Sequence, residues 1–116
     1  MRRSFAALLG LGLPLLSALA MAEGRIQGQV SNALDKSLLP GASLSLYQGE
    51  TGKLVALALS EPDGSYRFEG VAAGPYDIRA TASQFKPFMR EKLQVRDERT
   101  LRVNLDLLPE DLSKSG

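Results

Sequence analysis

From Gly24 to Leu107 apolar residues fall mainly at every second position, and clusters of Gly, Pro, Asp and Ser punctuate the runs. That spacing belongs to strands that bury one face. Ile26, Gly28 and Val30 alternate with Arg25, Gln27 and Gln29 in a first strand. Leu38-Leu39-Pro40-Gly41 reads as a turn, after which Leu44 and Leu46 alternate with Ser43, Ser45 and Tyr47. Gly49-Glu50-Thr51-Gly52 leads into Lys53–Ser60, where apolar residues fill both registers and helix propensity equals strand propensity. Its shortness favours a strand, with Val55, Leu57 and Leu59 inward because they are the larger set. Pro62-Asp63-Gly64, the strongest hairpin signal in the chain, is expected to close this strand onto a fourth, where Tyr66 and Phe68 share one face.

Ala73-Gly74-Pro75 makes the next turn, and Tyr76, Ile78, Ala80 and Ala82 alternate with Asp77, Arg79, Thr81 and Ser83. After Pro87 a sixth strand carries Met89, Leu93 and Val95 on its inner register. Arg96-Asp97-Glu98 turns the chain into a seventh, where Leu101, Val103, Leu105 and Leu107 face inward. Short strands at this regular spacing predict an all-β fold, a seven-stranded antiparallel two-sheet sandwich. The sandwich is expected over residues 23–108, followed by a flexible polar tail over 109–116.

The first 22 residues stand apart from this pattern. Arg2 and Arg3 precede a Phe5–Leu19 run that is apolar apart from Gly10, Gly12, Pro14 and Ser17, and Ala20-Met21-Ala22 is a small-x-small cleavage signature. Residues 1–22 therefore read as a cleavable signal peptide with the cut between Ala22 and Glu23, and the mature chain as periplasmic or secreted rather than embedded in a membrane. Two Arg and no acids leave with it, so 12 basic and 13 acidic residues remain, a net charge of −1. That balance argues against a nucleic-acid partner, which calls for a basic surplus.

Cys, His and Trp are absent from all 116 residues. Disulfides, thiolate or imidazole metal sites and His- or Cys-dependent catalysis are thereby excluded, and no cofactor is expected. Glu61 with Asp63, and Asp97 with Glu98, pair carboxylates in sequence, but on turn tips where water solvates both. Glu61 and Asp63 with the Ser60 and Ser65 hydroxyls fall short of the six to eight oxygens that calcium takes. An ordinary turn is expected there, and the protein is expected not to be an enzyme.

Gly28-x-Val30, Leu39-Pro40-Gly41-Ala42-x-Leu44, Ser60-x-x-Asp63-Gly64-x-Tyr66-x-Phe68, Val71-Ala72-Ala73-Gly74-Pro75-Tyr76 and Ala82-x-x-Phe85, in this order, resemble the carboxypeptidase regulatory-like domain. The resemblance runs from about Gly24 to Leu107 and implies a transthyretin-like (prealbumin-like) β-sandwich. Its matched positions are turns and core, so it implies a fold more than a function. Relatives of this kind accompany metallocarboxypeptidase domains, outer-membrane receptor plugs and surface adhesins, or bind carbohydrate. Hydrolases of the fold use His, which this chain lacks, and the adhesins' internal isopeptide bond needs a first-strand Lys where this chain offers Arg25.

On the predicted register Ser43, Ser45, Tyr47, Leu54, Ala56 and Ala58 form an outward face without charge. Outward positions elsewhere carry Arg67 and Glu69, Asp77 and Arg79, Arg90 and Lys92, and Arg102 and Asp106. An uncharged patch on a small domain suits a contact surface, so the expected function is a binding or scaffold module for another envelope or exported protein. The alternative is a carbohydrate-binding module, for which Tyr47 and Phe88 on outward registers and Phe85 on a bend would be the sugar platforms. Mass spectrometry of the protein recovered from an envelope fraction is expected to give an N-terminus at Glu23. Met1 on the exported species would mean an uncleaved anchor instead.

Overall fold

The computed structural model describes residues 23–110. The expected leader and its cleavage site at Ala22 lie outside them, as do residues 111–116. Eight strands form: β1 (Gly24–Asn32), β2 (Ser43–Gln48), β3 (Leu54–Leu59), β4 (Ser65–Val71), β5 (Gly74–Thr81), β6 (Phe88–Val95), β7 (Thr100–Arg102) and β8 (Leu105–Leu107). One sheet runs β4-β1-β7 with β8 also paired to β1, and the other runs β3-β2-β5-β6. Between them Ile26, Val30, Tyr66, Phe68, Val103, Leu105 and Leu107 meet Leu44, Leu46, Ile78 and Ala80, all buried. The period-two alternation therefore yields the expected sandwich, and on β1, β2, β4 and β5 the inward sets are those the pattern predicts.

The last strand departs from expectation. Instead of one antiparallel strand, β7 and β8 both run parallel to β1, Thr100–Arg102 beside Arg25–Gln27 and Leu105–Leu107 beside Val30–Asn32. The break at Val103-Asn104 falls beside Gly28, where a Cβ would collide with the Val103 carbonyl. Val103 still donates its N–H to the Gln27 carbonyl (2.9 Å), but its own carbonyl is turned out of the ladder and accepts the Tyr66 hydroxyl at 2.6 Å. Tyr66 is the cross-strand neighbour of Gly28, so its ring reaches over β1 at a point with no side chain. Burial pushes the Tyr66 phenol well above its usual pKa, with the Arg90 charge pulling the other way, and the hydroxyl stays a donor. Asn104 mends the ladder by accepting the Gln29 N–H on Oδ1 at 3.1 Å.

Pro62-Asp63-Gly64 forms a tight turn but not a hairpin. Gly64 donates to the Glu61 carbonyl (2.7 Å), and Asp63 Oδ1 accepts the Ser65 N–H (2.9 Å). Hydrogen bonds from Ser65 hold the Asp63 carboxyl below its usual pKa. Yet β3 pairs with β2 and β4 with β1, so the turn is a corner that carries the chain between sheets. Val30 donates to the Gly64 carbonyl at 2.8 Å and ties the corner to β1.

In β6 the inward set is corrected as well. Phe88 pairs with Ala80 and is half-buried against the core, whereas Met89 is exposed. An extra residue on β6 opposite Asp77 shifts the register, with Lys92 at φ +62° and its N–H donated to Asp77 Oδ1 at 3.1 Å. Leu93 and Val95 are inward as expected, but only beyond this bulge. The start of the expected tail is also held, because Lys86 donates to the Leu108 carbonyl (2.8 Å) and Glu110 to that of Gln84 (3.0 Å).

Gly28→Ala is expected to destabilise the protein by about 3 kcal/mol, since backbone must move to admit the methyl group. Tyr66→Phe should cost about 1–3 kcal/mol by leaving the Val103 carbonyl without its donor. Equilibrium denaturation measures both, and a Gly28→Ala variant as stable as the wild type would contradict the close approach.

Candidate functional site

β2 lies inside its sheet between β3 and β5, and β3 forms the edge. Opposite residues of an antiparallel pair share a face, so the pairs Ser43–Leu59 and Ser45–Leu57 lie on one side and Leu44–Ala58 and Leu46–Ala56 on the other. Leu44 and Leu46 are fully buried, and Ala56 and Ala58 pack against the same core. The expected inward trio is therefore reversed: Leu57 is 68% exposed, Leu59 66% and Val55 49%. Leu54, at 50%, joins them because an irregularity at Leu46/Tyr47 leaves Leu54 opposite Tyr47. Of the six residues assigned to the outward face, Ser43, Ser45, Tyr47 and Leu54 lie on it, while Ala56 and Ala58 do not.

Ser60 accounts for the reversal. It is buried, and its Oγ donates to the Leu39 carbonyl at 2.7 Å and accepts the Ala42 N–H at 2.8 Å. Backbone groups shut away from water need such partners. Ser60 must therefore point inward, and the period of two takes Ala58 and Ala56 with it while Leu57 and Leu59 turn out. The exposed surface is more apolar than the sequence pattern suggested. No charged residue lies on either β2 or β3.

Beside Leu59 an open groove of about 1130 Å³ runs toward Gln27, Gln29, Arg67 and Arg102 on the first sheet, with Glu61 and Asp63 on its margin. The oxygen cluster weighed for calcium is dispersed, since Ser60 is committed to the Leu39–Ala42 loop and Asp63 to its own turn. The aromatic platforms are also depleted. Phe85 and Phe88 pack against the core, which leaves Tyr47 on the outer face of β2.

This combination defines a small all-β sandwich module whose distinctive surface is an uncharged apolar sheet edge. The chain belongs to the carboxypeptidase regulatory-like domain family, whose model matches residues 25–108. It is 41% identical over 56 residues to the TonB-dependent transporter Oar of Myxococcus xanthus, a stretch that covers 48% of this chain and 5% of that protein. Among solved structures it resembles a candidate carbohydrate binding protein of Bacteroides uniformis, at 20% identity and a TM-score of 0.61, over 75% of this chain and 42% of that one. BcpA, the major pilin subunit of Bacillus cereus, aligns at 17% identity and a TM-score of 0.60, over 76% of this chain and 30% of that one. The chain thus spans less than half the length of each of these proteins. At such identities the structural likeness establishes the sandwich fold.

Ala56→Lys and Leu57→Lys are expected to behave oppositely. The first forces an ammonium against the core and should cost about 2 kcal/mol or more. The second adds it to solvent and should change stability by about 0.5 kcal/mol or less. Thermal melts of the two variants test the register, and equal melting temperatures would refute it.

Proposed function

We propose that the protein is an exported, non-catalytic module that makes protein–protein contact in the cell envelope through the outer face of β2 and β3. One observation carries this reading: Leu54, Val55, Leu57 and Leu59 stand exposed on an uncharged edge strand, next to Ser43, Ser45 and Tyr47. Large aliphatic side chains grouped on one surface gain most by leaving water, and an open edge adds unsatisfied backbone groups that a partner satisfies. Export is supported by the leader pattern of residues 1–22, with the sandwich taken as the mature domain from Glu23 to Leu108. Similarity to a TonB-dependent transporter and to a pilin subunit fits an envelope setting. The non-catalytic reading is supported by the absence of His and Cys and by membership of a regulatory-like family. Carbohydrate binding, suggested by the Bacteroides likeness, has little aromatic surface to support it once Phe85 and Phe88 are turned to the core.

A photo-crosslinking side chain placed at Leu57 in the living cell is expected to give discrete protein adducts, while the same group at Arg102, on the other sheet, gives none. Adducts at Arg102 alone would move the contact to another face. Saturable binding of envelope glycans or peptidoglycan fragments, with no adduct at Leu57, would replace this reading with the sugar-binding one.

A further inference from the structure

We infer that the β2–β3 contact surface is occupied by a second copy of this chain, paired β3 against antiparallel β3 about a twofold axis at Leu57. The inference rests on the contact reading above and names the partner. Each of the other sheet edges is guarded. β6 carries Arg90, Glu91, Lys92 and a bulge. β4 carries Arg67 and Glu69, and the β7–β8 edge is broken at Asn104 and carries Arg102 and Asp106. Charges and irregularities of this kind prevent strand addition. β3, Leu-Val-Ala-Leu-Ala-Leu, is the edge strand among those described that bears no charge.

The backbone of β3 is also oriented for it. Ser60 donates its N–H to the Ala42 carbonyl at 3.0 Å, so the even-numbered positions of the regular stretch face β2. Antiparallel ladders alternate, which points the N–H and C=O of Leu57 and Leu59 to the open edge. A twofold axis at Leu57 then makes a hydrogen-bonded pair of Leu57 with its own counterpart.

Within two residues of that point the sequence is nearly its own mirror image, as a twofold contact favours, because each residue must suit the position its counterpart presents. Ala56 faces Ala58 and Val55 faces Leu59, while beyond the irregularity at Leu54 and past Ser60 the two ends of the paired stretch carry opposite charges, Lys53 and Glu61. Lys53 and Glu61 are both exposed, and neither joins an ion pair among the described residues. In the pairing each finds the opposite charge on the other copy, twice over. An unrelated strand would satisfy the backbone equally well, but a Lys at one end of the strand and a Glu at the other suit antiparallel pairing with this chain's own strand. The two β3-β2-β5-β6 sheets would join into one continuous sheet, with the exposed leucines of both copies side by side on its outer face.

Sedimentation equilibrium of the purified protein is expected to show a reversible dimer. Leu57→Lys, which sets two ammonium groups opposite each other on the axis, should return it to monomer with its far-ultraviolet circular dichroism retained and with the melting temperature of the wild type diluted to monomer. Lys53→Glu alone should weaken the dimer by about tenfold or more, and Lys53→Glu combined with Glu61→Lys should restore it. The chain has no native thiol, so Leu57→Cys should oxidise to a disulfide-linked dimer. Hydrogen-bonded partners sit about 5.5 Å apart between Cα atoms, within disulfide reach. A monomer at all concentrations, a dimer indifferent to Leu57→Lys, or a double charge exchange weaker than either single one overturns the pairing. A monomer that still crosslinks to a different protein at position 57 overturns the pairing and leaves the contact surface standing. Loss of both overturns both.

Discussion

The carbonyl of Val103 stands where a side chain at position 28 would be, and the Tyr66 hydroxyl that holds it there reaches from the far side of β1. Three strands meet at this point, so the excluded methyl group and the buried hydrogen bond lock together β4, β1 and the β7–β8 segment, which their ladders already pair. Hydrogen bonds of ordinary net worth, about 1 kcal/mol, become consequential when losing one leaves a buried acceptor bare. The same arrangement interrupts the last strand and brings the Asn104 side chain into the ladder. That edge is consequently short and irregular, which closes it to further strands.

The second sheet is organised from the opposite end. Ser60, at the end of β3, satisfies both the Leu39 carbonyl and the Ala42 N–H and so sets which residues of β3 face the core. Two alanines go inward beneath Leu44 and Leu46, and the larger side chains remain outside. In area terms this is unfavourable for an isolated domain, since burying a Leu in place of an Ala is worth roughly 1.5–3 kcal/mol. Such exposure falls on an edge without charge, whereas the other described edges carry Arg, Lys, Glu and Asp, and the proposed contact rests on that contrast.

The fold leaves the partner open, since a pilin subunit and a candidate carbohydrate binding protein contain similar sandwiches. Much of the architecture was legible because period-two burial is local. Ile26, Val30, Leu44, Leu46, Tyr66, Phe68, Ile78, Val103, Leu105 and Leu107 all lie inside, as their alternation implies. The misread features share a cause, namely partners distant in sequence. Pro62-Asp63-Gly64 has the chemistry of a hairpin, but Val30 takes the Gly64 carbonyl and makes a corner of it. Phe88 and Met89 exchange roles because Asp77, on another strand, caps the bulge at Lys92.

What the sequence by itself determined is the sandwich: eight decades of chain apart, alternating residues still identify one buried face per strand, because each strand's pleat obeys only its own neighbours. It also limited the chemistry available, since imidazole and thiol groups are absent from the chain wherever it folds. Only the tertiary structure decided which face of β3 meets water. Lys53–Ser60 is apolar in both registers, so local pattern and side-chain size cannot choose between them. The choice was made by two buried backbone groups in the Leu39–Ala42 loop that required the Ser60 hydroxyl, and with it the leucines were left outside.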